Sequence, residues 1–311
     1  MENRCICVIP LSLSKFSIEE PDIALLTPQQ TPSFSHIDLV VDDKSKSSKV
    51  QQKWPIFILS ISLIDLLLMI FALIKNGGLE DIDDYKMLGV SNVTLIKIGA
   101  KFLPCMKNVS HVDENKSLCG SYATIYQYYR FITSIFLHVG IMHLLFNLTA
   151  QICDGMVLER KFGTARVGVI YILSGLGGNI VSSVKAILWH DKIVVTVGAS
   201  GACFGLIGVL LLDKIQNFGK LPNPWLDITI HCVTITFLPV FSFVEPMIDL
   251  FAHIGGLICG CLLGLLICPT IFVFGKTEDL KIRNKFLVML LTSVLLFAFY
   301  FVGFRLFFEY G

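Results

Sequence analysis

Long segments without charge dominate this sequence. Seven such runs lie between flanking charged residues, and Asp65 is the one charge within any of them: 54–74, 131–153, 167–184, 193–212, 228–244, 250–275 and 286–304. Each run has about the 20 residues that a helix needs to cross the hydrocarbon core of a bilayer, although the second run need not be helical from its first residue. The chain is 54% apolar and only 16% charged, whereas about a quarter of the residues in soluble domains are charged. The sequence therefore predicts an all-α polytopic membrane protein, a helical bundle with seven transmembrane helices.

The distribution of lysine and arginine predicts the orientation of the spans. If the N-terminus is cytoplasmic, residues 44–53 of the tail and the inner short loops together hold thirteen of these residues, and the outer short loops hold only Lys185 and Lys192. Positive residues collect on the cytoplasmic side of membrane proteins, so a cytoplasmic N-terminus and a luminal or extracellular C-terminus are expected. The formal net charge of +1 gives no basic surplus that would indicate binding to nucleic acid.

Three regions are predicted along the chain. Residues 1–53 contain four prolines and many serines, which is typical of a disordered tail; this tail is expected to be cytoplasmic, with neither a signal peptide nor a mitochondrial transit peptide. Residues 54–275 are expected to form a core of six spans with a long outer loop at 76–128. Residues 276–311 are expected to supply a cytoplasmic loop and one additional C-terminal span.

The outer loop carries residues that suit an oxidising and glycosylating compartment. It contains Cys105 and Cys119, together with the glycosylation sequons at Asn92, Asn108 and Asn115. Such features are typical of the secretory pathway and of the cell surface. A disulfide between Cys105 and Cys119 is expected, with two free thiols as the alternative.

Five ionisable side chains within the spans need an explanation, because such groups are costly in a membrane and often functional. They are Asp65, His138, His143, His231 and His253. A satisfied hydrogen bond between helices is the simpler interpretation for each of them. It is favoured for Asp65 and His231, because no reactive residue accompanies these two.

His143 and Asn147 are four residues apart, so their side chains share one face of a helix. His253 has a different setting, because Gly256 and two further glycines follow it at intervals of four residues. Such ladders of small residues let a second helix approach closely. His253 lies on the face of its helix that carries the ladder.

Ser200 begins a matching ladder, with glycines one, five and eight residues further along the chain. If the two ladders pack together, Ser200 and His253 lie at the same depth near the outer ends of their spans. A hydroxyl within reach of an imidazole is the minimal activated nucleophile. Gly198 and Gly201 flank Ser200 and allow a tight turn whose N–H groups face a developing oxyanion.

The order of these motifs resembles that of the rhomboid intramembrane serine proteases. The matching elements are Tyr129-Arg130, His138-x4-His143-Leu-Leu-Phe-Asn147, Glu159-Arg160-x2-Gly163, Gly198-Ala199-Ser200-Gly201 and Ala252-His253-Ile254-Gly255-Gly256. The resemblance covers nearly all of residues 54–275 and implies a rhomboid-like helical bundle. The additional C-terminal span resembles the eukaryotic secretase-type arrangement.

The resemblance also implies a site and a reaction without a cofactor or metal. Ser200 is expected to be the nucleophile and His253 the general base and acid. His143, Asn147 and the backbone N–H of Ser200 are expected to bind the oxyanion. Phe204, where some relatives have tyrosine, is expected to stack on His253. The other residues expected to support the site are His138, Gly198, Gly201 and Gly256.

The expected substrates are single-span transmembrane proteins of type I, which meet the site within the lipid bilayer. A substrate helix arrives with its carbonyls occupied by intrahelical hydrogen bonds, so it has to unwind before a nucleophile can approach. Gly, Ser or Pro in the outer part of the span, and a small residue such as Ala at the cleaved bond, are therefore expected.

Alternatives to a protease differ in what they require of the sequence. A catalytically weak rhomboid-like protein that binds membrane clients would be expected to lack the serine or the histidine, and both are present. A transporter that uses Asp65 and the histidines as a proton path would not need Gly198 and Gly201. No His-Glu-x-x-His or Gly-x-Gly-Asp motif is present, so zinc and paired-aspartate proteolysis lack their residues.

Asp249 could orient His253, but capping the start of the helix is the favoured interpretation.

Overall fold

The structure is a computed structural model. It describes residues 54–82, 87–107, 116–119, 126–189, 195–242, 249–268, 271 and 277–310. The predicted tail at 1–53 and the sequons at Asn108 and Asn115 lie outside the described residues, and the division of the chain into three regions stays a prediction.

Helices make up most of the described chain. In order they are α1 (Ile56–Asn76), α2 (Asn92–Lys97), α3 (Leu103–Met106), α4 (Arg130–Thr133), α5 (Ile141–Ala150), α6 (Met156–Phe162), α7 (Thr164–Leu188), α8 (Ser200–Gln216), α9 (Pro224–Ser242), α10 (Leu250–Ile267) and α11 (Glu278–Glu309). A π-helical segment, Gln151–Gly155, joins α5 to α6. Short 3₁₀ turns occur at Lys116–Cys119, Ser134–Phe136 and Phe218–Lys220.

Within the described ranges, five helices are long and apolar enough to cross a membrane: α1, the continuous helix α5–α6, α7, α10 and α11. The fold is therefore that of an all-α polytopic membrane protein, as the sequence predicts. Helices α8 and α9 fall in the fourth and fifth predicted runs and are not among the five, so the count of seven spans stays a prediction.

The second run differs from the structure in its start and its end. Residues 131–153 are free of charge, but the spanning helix begins at Ile141 and continues to Phe162. The first part of the run belongs instead to the segment before α5, and Arg130 ties this segment to α2 and the residues after it. The Arg130 guanidinium donates through Nη1 to the carbonyls of Ile96 and Ala100, both at 2.7 Å. A charge count cannot separate an apolar loop segment from a span.

The loop between α1 and α4 has some regular structure of its own. Strands β1 (Glu80–Ile82) and β2 (Met87–Gly89) pair in an antiparallel hairpin, and Gly89 also pairs with Gly140 at the start of α5. Further along the loop, Cys105 and Cys119 form a disulfide, which confirms the predicted pairing.

Asp65 and His231 both make polar contacts between helices, as predicted. Asp65 on α1 is fully buried, and its Oδ2 accepts a hydrogen bond of 3.0 Å from Nε2 of Gln151 in the π-helical segment. Its Oδ1 has no partner among the described residues. His231 on α9 lies with Nε2 3.7 Å from Oδ1 of Asp154, also in the π-helical segment. These contacts join α1 and α9 to the α5–α6 helix.

The packed centre of the molecule lies between α7, α8 and α10. The largest cluster of buried apolar residues draws on these helices and on α1, with Ile58, Tyr171, Leu206 and Leu263 among its fully buried members. Helix α11 packs on the outside of this centre, where the Tyr300 hydroxyl donates to the carbonyl of Leu173 at 2.6 Å.

Candidate active site

Ser200 and His253 meet at the starts of two packed helices. Ser200 is the first residue of α8, and His253 lies in the first turn of α10. The Ser200 hydroxyl oxygen is 2.8 Å from His253 Nε2, within the range of about 2.6–3.2 Å found between a nucleophile and its base. His253 is only 3% exposed. The other ring nitrogen, Nδ1, is buried and has no hydrogen-bond partner in the described part of the protein.

Two glycines allow this approach, because the backbones of α8 and α10 almost touch. A Cβ added to Gly256 on α10 would collide with the carbonyl oxygen of Gly201 on α8. A Cβ at Gly201 would lie 3.2 Å from the carbonyl oxygen of Ala252, which is tighter than usual for such a contact. The glycine ladders of the sequence therefore face each other, and they bring the hydroxyl and the imidazole to the same level.

Gly198 shapes the backbone just before the serine. Its φ of +130° is a conformation that residues with side chains rarely adopt. A Cβ at Gly198 would also lie 2.7 Å from Cε1 and 2.9 Å from Nε2 of His143. The Gly198 N–H donates to the carbonyl of Ser134 at 2.9 Å. Glycine at this position thus leaves room for the His143 ring directly beside the segment that leads to Ser200.

His143 and Asn147 lie on α5, and the structure brings the His143 ring to the site. Asn147 is buried, and its side-chain Nδ2 donates to the backbone carbonyl of His143 at 2.9 Å. That amide is thus engaged within its own helix in this structure. His138 is buried in the segment before α5, with its ring centroid 5.4 Å from that of His143. His138 has no contact with Ser200 among those described.

Phe204 stacks on His253, as predicted from its position one turn after Ser200. The ring centroids are 4.4 Å apart and the two planes differ by only 4°. Phe204 is itself buried. The stacked rings restrict the imidazole to one plane, the plane in which Nε2 faces the Ser200 hydroxyl.

Asp249 caps α10, which confirms the favoured interpretation of this residue. Its Oδ1 accepts a hydrogen bond of 3.0 Å from the N–H of Ala252. Its Oδ2 accepts a hydrogen bond from the Ser182 hydroxyl on α7 and lies 3.4 Å from Nζ of Lys101. Burial by itself raises the pKa of the Asp249 carboxyl, but Lys101, Ser182 and the Ala252 N–H together lower that pKa below its usual value.

Lys101 and Ser182 are the neighbours of the site that sequence reasoning missed. The sequence does single out Lys101, because this lysine stands between Ala100 and the apolar residues that follow it. A lysine in such surroundings is either exposed or paired. The sequence could not indicate which partner it has.

These features define a class of protein: a polytopic membrane protein with a partly buried serine–histidine pair at the packed ends of two helices. Residues 126–270 match the family model for the Rhomboid domain, and this segment contains both members of the pair. The chain therefore carries a Rhomboid domain.

Several curated proteins are similar to this chain. "RHOMBOID-like protein 6, mitochondrial" of Arabidopsis thaliana is 33% identical over 200 residues, covering 63% of this chain and 56% of that protein. "Rhomboid-type serine protease 2" of Emericella nidulans is 31% identical over 218 residues, covering 58% and 41%. "Inactive rhomboid protein 1" of Danio rerio is 35% identical over 172 residues, covering 55% and 19%. The chain thus spans about half, or less, of the length of these relatives.

Proposed function

We propose that this protein is an intramembrane serine protease that cleaves single-span membrane proteins within the bilayer. Ser200 is the nucleophile, and His253 is the general base and acid. The observation that carries the proposal is the distance of 2.8 Å between the Ser200 hydroxyl and His253 Nε2, in a membrane protein of a family in which one similar relative is named a serine protease.

The first half of the reaction forms an acyl-enzyme. His253 Nε2 takes the proton of the Ser200 hydroxyl while the oxygen attacks the substrate carbonyl. His143, Asn147 and the backbone N–H of Ser200 then stabilise the negative oxygen of the tetrahedral intermediate. The intermediate collapses, the peptide C–N bond breaks, and His253 gives its proton to the leaving amine.

The second half regenerates the serine with water. His253 accepts a proton from a water molecule, the resulting hydroxide attacks the ester, and the proton returns to the Ser200 oxygen as the new carboxylic acid leaves. Nδ1 of His143 and Nδ1 of His253 are buried without a partner in the described protein. Buried polar groups normally have one, so a water molecule or a substrate group would satisfy them and would keep this end of the bundle polar.

Substrate choice follows from the need to unwind a helix. The site lies between packed helices and Phe204 narrows it, so an extended segment with small residues fits best. We therefore propose type I single-span substrates with Gly, Ser or Pro in the outer part of the span and a small residue such as Ala at the cleaved bond. Gly and Pro weaken a helix by about 1 and 3 kcal/mol relative to Ala. Replacing them by Leu in a cleaved reporter should reduce cleavage, and undiminished cleavage at the same bond would contradict this choice.

The experiment for the proposed activity is co-expression with a tagged single-span reporter. The protein should release the reporter ectodomain, while Ser200→Ala and His253→Ala should release none, although both variants are expressed and inserted normally. Both side chains are small or lie at a polar end of a helix, so their loss should not unfold the bundle. Equal release by the protein and either variant would refute the pair as the catalytic groups.

The second candidate function is binding of membrane clients without cleavage. One similar relative is named an inactive rhomboid protein, which is the observation in its favour. A protein of this kind would co-purify with the intact reporter and would behave identically after Ser200→Ala. The reporter experiment therefore separates the two functions.

A further inference from the structure

Lys101 is a buried lysine for which the proposed reaction has no use. It lies in the loop between α2 and α3 and is only 3% exposed. Lysine is almost never fully buried unless it is paired. Its contacts are therefore specific. Each of them is with a segment that carries Ser200 or His253, or with a residue that supports such a segment.

The backbone of Lys101 holds the segment that precedes Ser200. Its N–H donates to the carbonyl of Thr196 at 3.1 Å, and its carbonyl accepts from the Thr196 N–H at 3.0 Å. Thr196 stands four residues before Ser200. Two residues beyond Thr196, the Gly198 N–H bonds to Ser134, so this segment is tied down at two successive points.

The side chain of Lys101 reaches the start of the helix that carries His253. Nζ donates to the Ser182 hydroxyl at 2.5 Å and lies 3.4 Å from Oδ2 of Asp249. The backbone carbonyl of Asp249 in turn accepts the N–H of His253 at 3.2 Å. The position of Asp249 therefore sets the first turn of α10, and with it the position of the imidazole.

We propose that Lys101 is a positioning residue that holds Ser200 and His253 in register by joining the segment before Ser200 to the Asp249 cap of α10. This inference rests on the proposed function, because register matters only if the pair is catalytic. Lys101 touches neither Ser200 nor His253, so it acts through Thr196 and Asp249. Lys101 is one of the groups that lower the pKa of Asp249, and an ionised carboxylate is the stronger acceptor for the Ala252 N–H.

The experiment compares variants of the protein, purified in detergent. It measures kcat for the reporter, the rate at which a fluorophosphonate labels Ser200, and the thermal stability. The variants are Lys101→Met, Asp249→Asn, the double variant, and Lys101→Arg. Asparagine is as good an N-cap as aspartate, so Asp249→Asn removes the charge and keeps the cap. Lys107→Met is the matched control, because Lys107 lies just after α3 and bonds instead to the carbonyls of Phe307 on α11 and of Tyr310 at the end of that helix.

Lys101→Met should lower kcat for the reporter and the rate at which a fluorophosphonate labels Ser200, each by about tenfold, because small displacements of catalytic groups have effects of this order or larger. KM should stay within about twofold, since loss of an interaction with the reacting groups alone lowers kcat and not binding. Asp249→Asn should cause the same loss, the double variant no more than either single one, and Lys101→Arg should restore most of the rate.

Several outcomes would overturn the inference. Unchanged kcat and labelling in Lys101→Met and Asp249→Asn would do so, and so would losses that multiply in the double variant or an equal loss in Lys107→Met. If Lys101→Met lowers the thermal stability so far that no folded protein is recovered, Asp249→Asn decides alone. Wild-type protein that is folded but neither labelled nor active would overturn the proposed function and this inference together.

Discussion

The imidazole of His253 is held by packing and not by a carboxylate. Its Nδ1 has no partner among the described residues, and the nearest acidic cap, Asp249, is engaged with Ala252, Ser182 and Lys101. The stacked ring of Phe204 is the group that fixes the plane of the imidazole. The pair therefore depends on an aromatic contact for the orientation that a third polar residue provides in a triad.

Phe204→Leu should lower kcat by about two- to tenfold. Aromatic stacking contributes about 0.5–1.5 kcal/mol beyond the burial of area, and about 1.4 kcal/mol corresponds to a factor of ten. Phe204→Tyr keeps a stacked ring and should retain most of the activity. Phe218→Leu is the control, since Phe218 contacts Trp225 beyond the other end of α8. A Phe204→Leu variant with unchanged kcat would show that stacking does not position the imidazole.

Asn147→Ala should slow cleavage by about a hundredfold, which is the lower range for removal of one oxyanion donor. The loss should be milder than that of Ser200→Ala, because His143 and the backbone N–H of Ser200 remain. Thr149→Ala is the matched control on the same helix, where the Thr149 hydroxyl bonds to the Leu145 carbonyl one turn back. If Asn147→Ala lost activity as completely as Ser200→Ala, a role of Asn147 limited to binding the oxyanion would be contradicted.

At the scale of helices, the site depends on the close approach of α8 and α10. Gly256→Ala should reduce activity by about a hundredfold or more, since a shift of about 1 Å can have this effect on a catalytic geometry. The added Cβ meets the backbone of Gly201, which cannot move aside as a side chain can. The readout is the rate of reporter cleavage, and the thermal stability of the same variant is measured to show that it is folded.

Gly219→Ala is the control for the glycine prediction. Gly219 lies in the turn after α8, and a Cβ there meets nothing within 4 Å. This variant should cleave the reporter at the normal rate. Full activity of Gly256→Ala would contradict the view that the glycine ladders set the distance between Ser200 and His253.

The helices also show which parts of the fold can be predicted from sequence. Spans such as α1 and α10 follow from hydrophobicity alone, and the pairing of Ser200 with His253 follows from two glycine ladders at the same depth. The start of the second spanning helix at Ile141 does not follow, because the residues before it are apolar although they form a loop held by Arg130. The π-helical segment at Gln151–Gly155 has no signal in composition.

Long-range polar contacts are the part of the site that the sequence cannot supply. The helix cap at Asp249 is local and could be predicted from its position before α10. The partners of its second oxygen, Lys101 and Ser182, are 148 and 67 residues away in the chain. Spacing rules for helices reach only a few residues, so contacts of this kind become visible only in three dimensions.

At the scale of the whole molecule, the distribution of positive charge predicts one orientation in the membrane. Residues 44–53 and the inner short loops hold thirteen lysines and arginines against two in the outer short loops, which favours a cytoplasmic N-terminus and a C-terminus on the opposite side. When the plasma membrane alone is permeabilised, an antibody should gain access to an N-terminal tag, whereas its access to a C-terminal tag should stay as it was in intact cells. A C-terminal tag that becomes accessible at this step, or an N-terminal tag that is already accessible in intact cells, would contradict this topology and would place Ser200 at the cytoplasmic end of the bundle.

Covalent labelling of Ser200 is the most direct test of the central claim, that a buried imidazole activates this hydroxyl. Purified full-length protein is treated with a fluorophosphonate, and the modified peptide is located by mass spectrometry. We expect the adduct on Ser200 in the wild-type protein and none above the Ser200→Ala background in His253→Ala. Folded wild-type protein without an adduct on Ser200, or equal labelling of Ser200 in His253→Ala, would contradict the account.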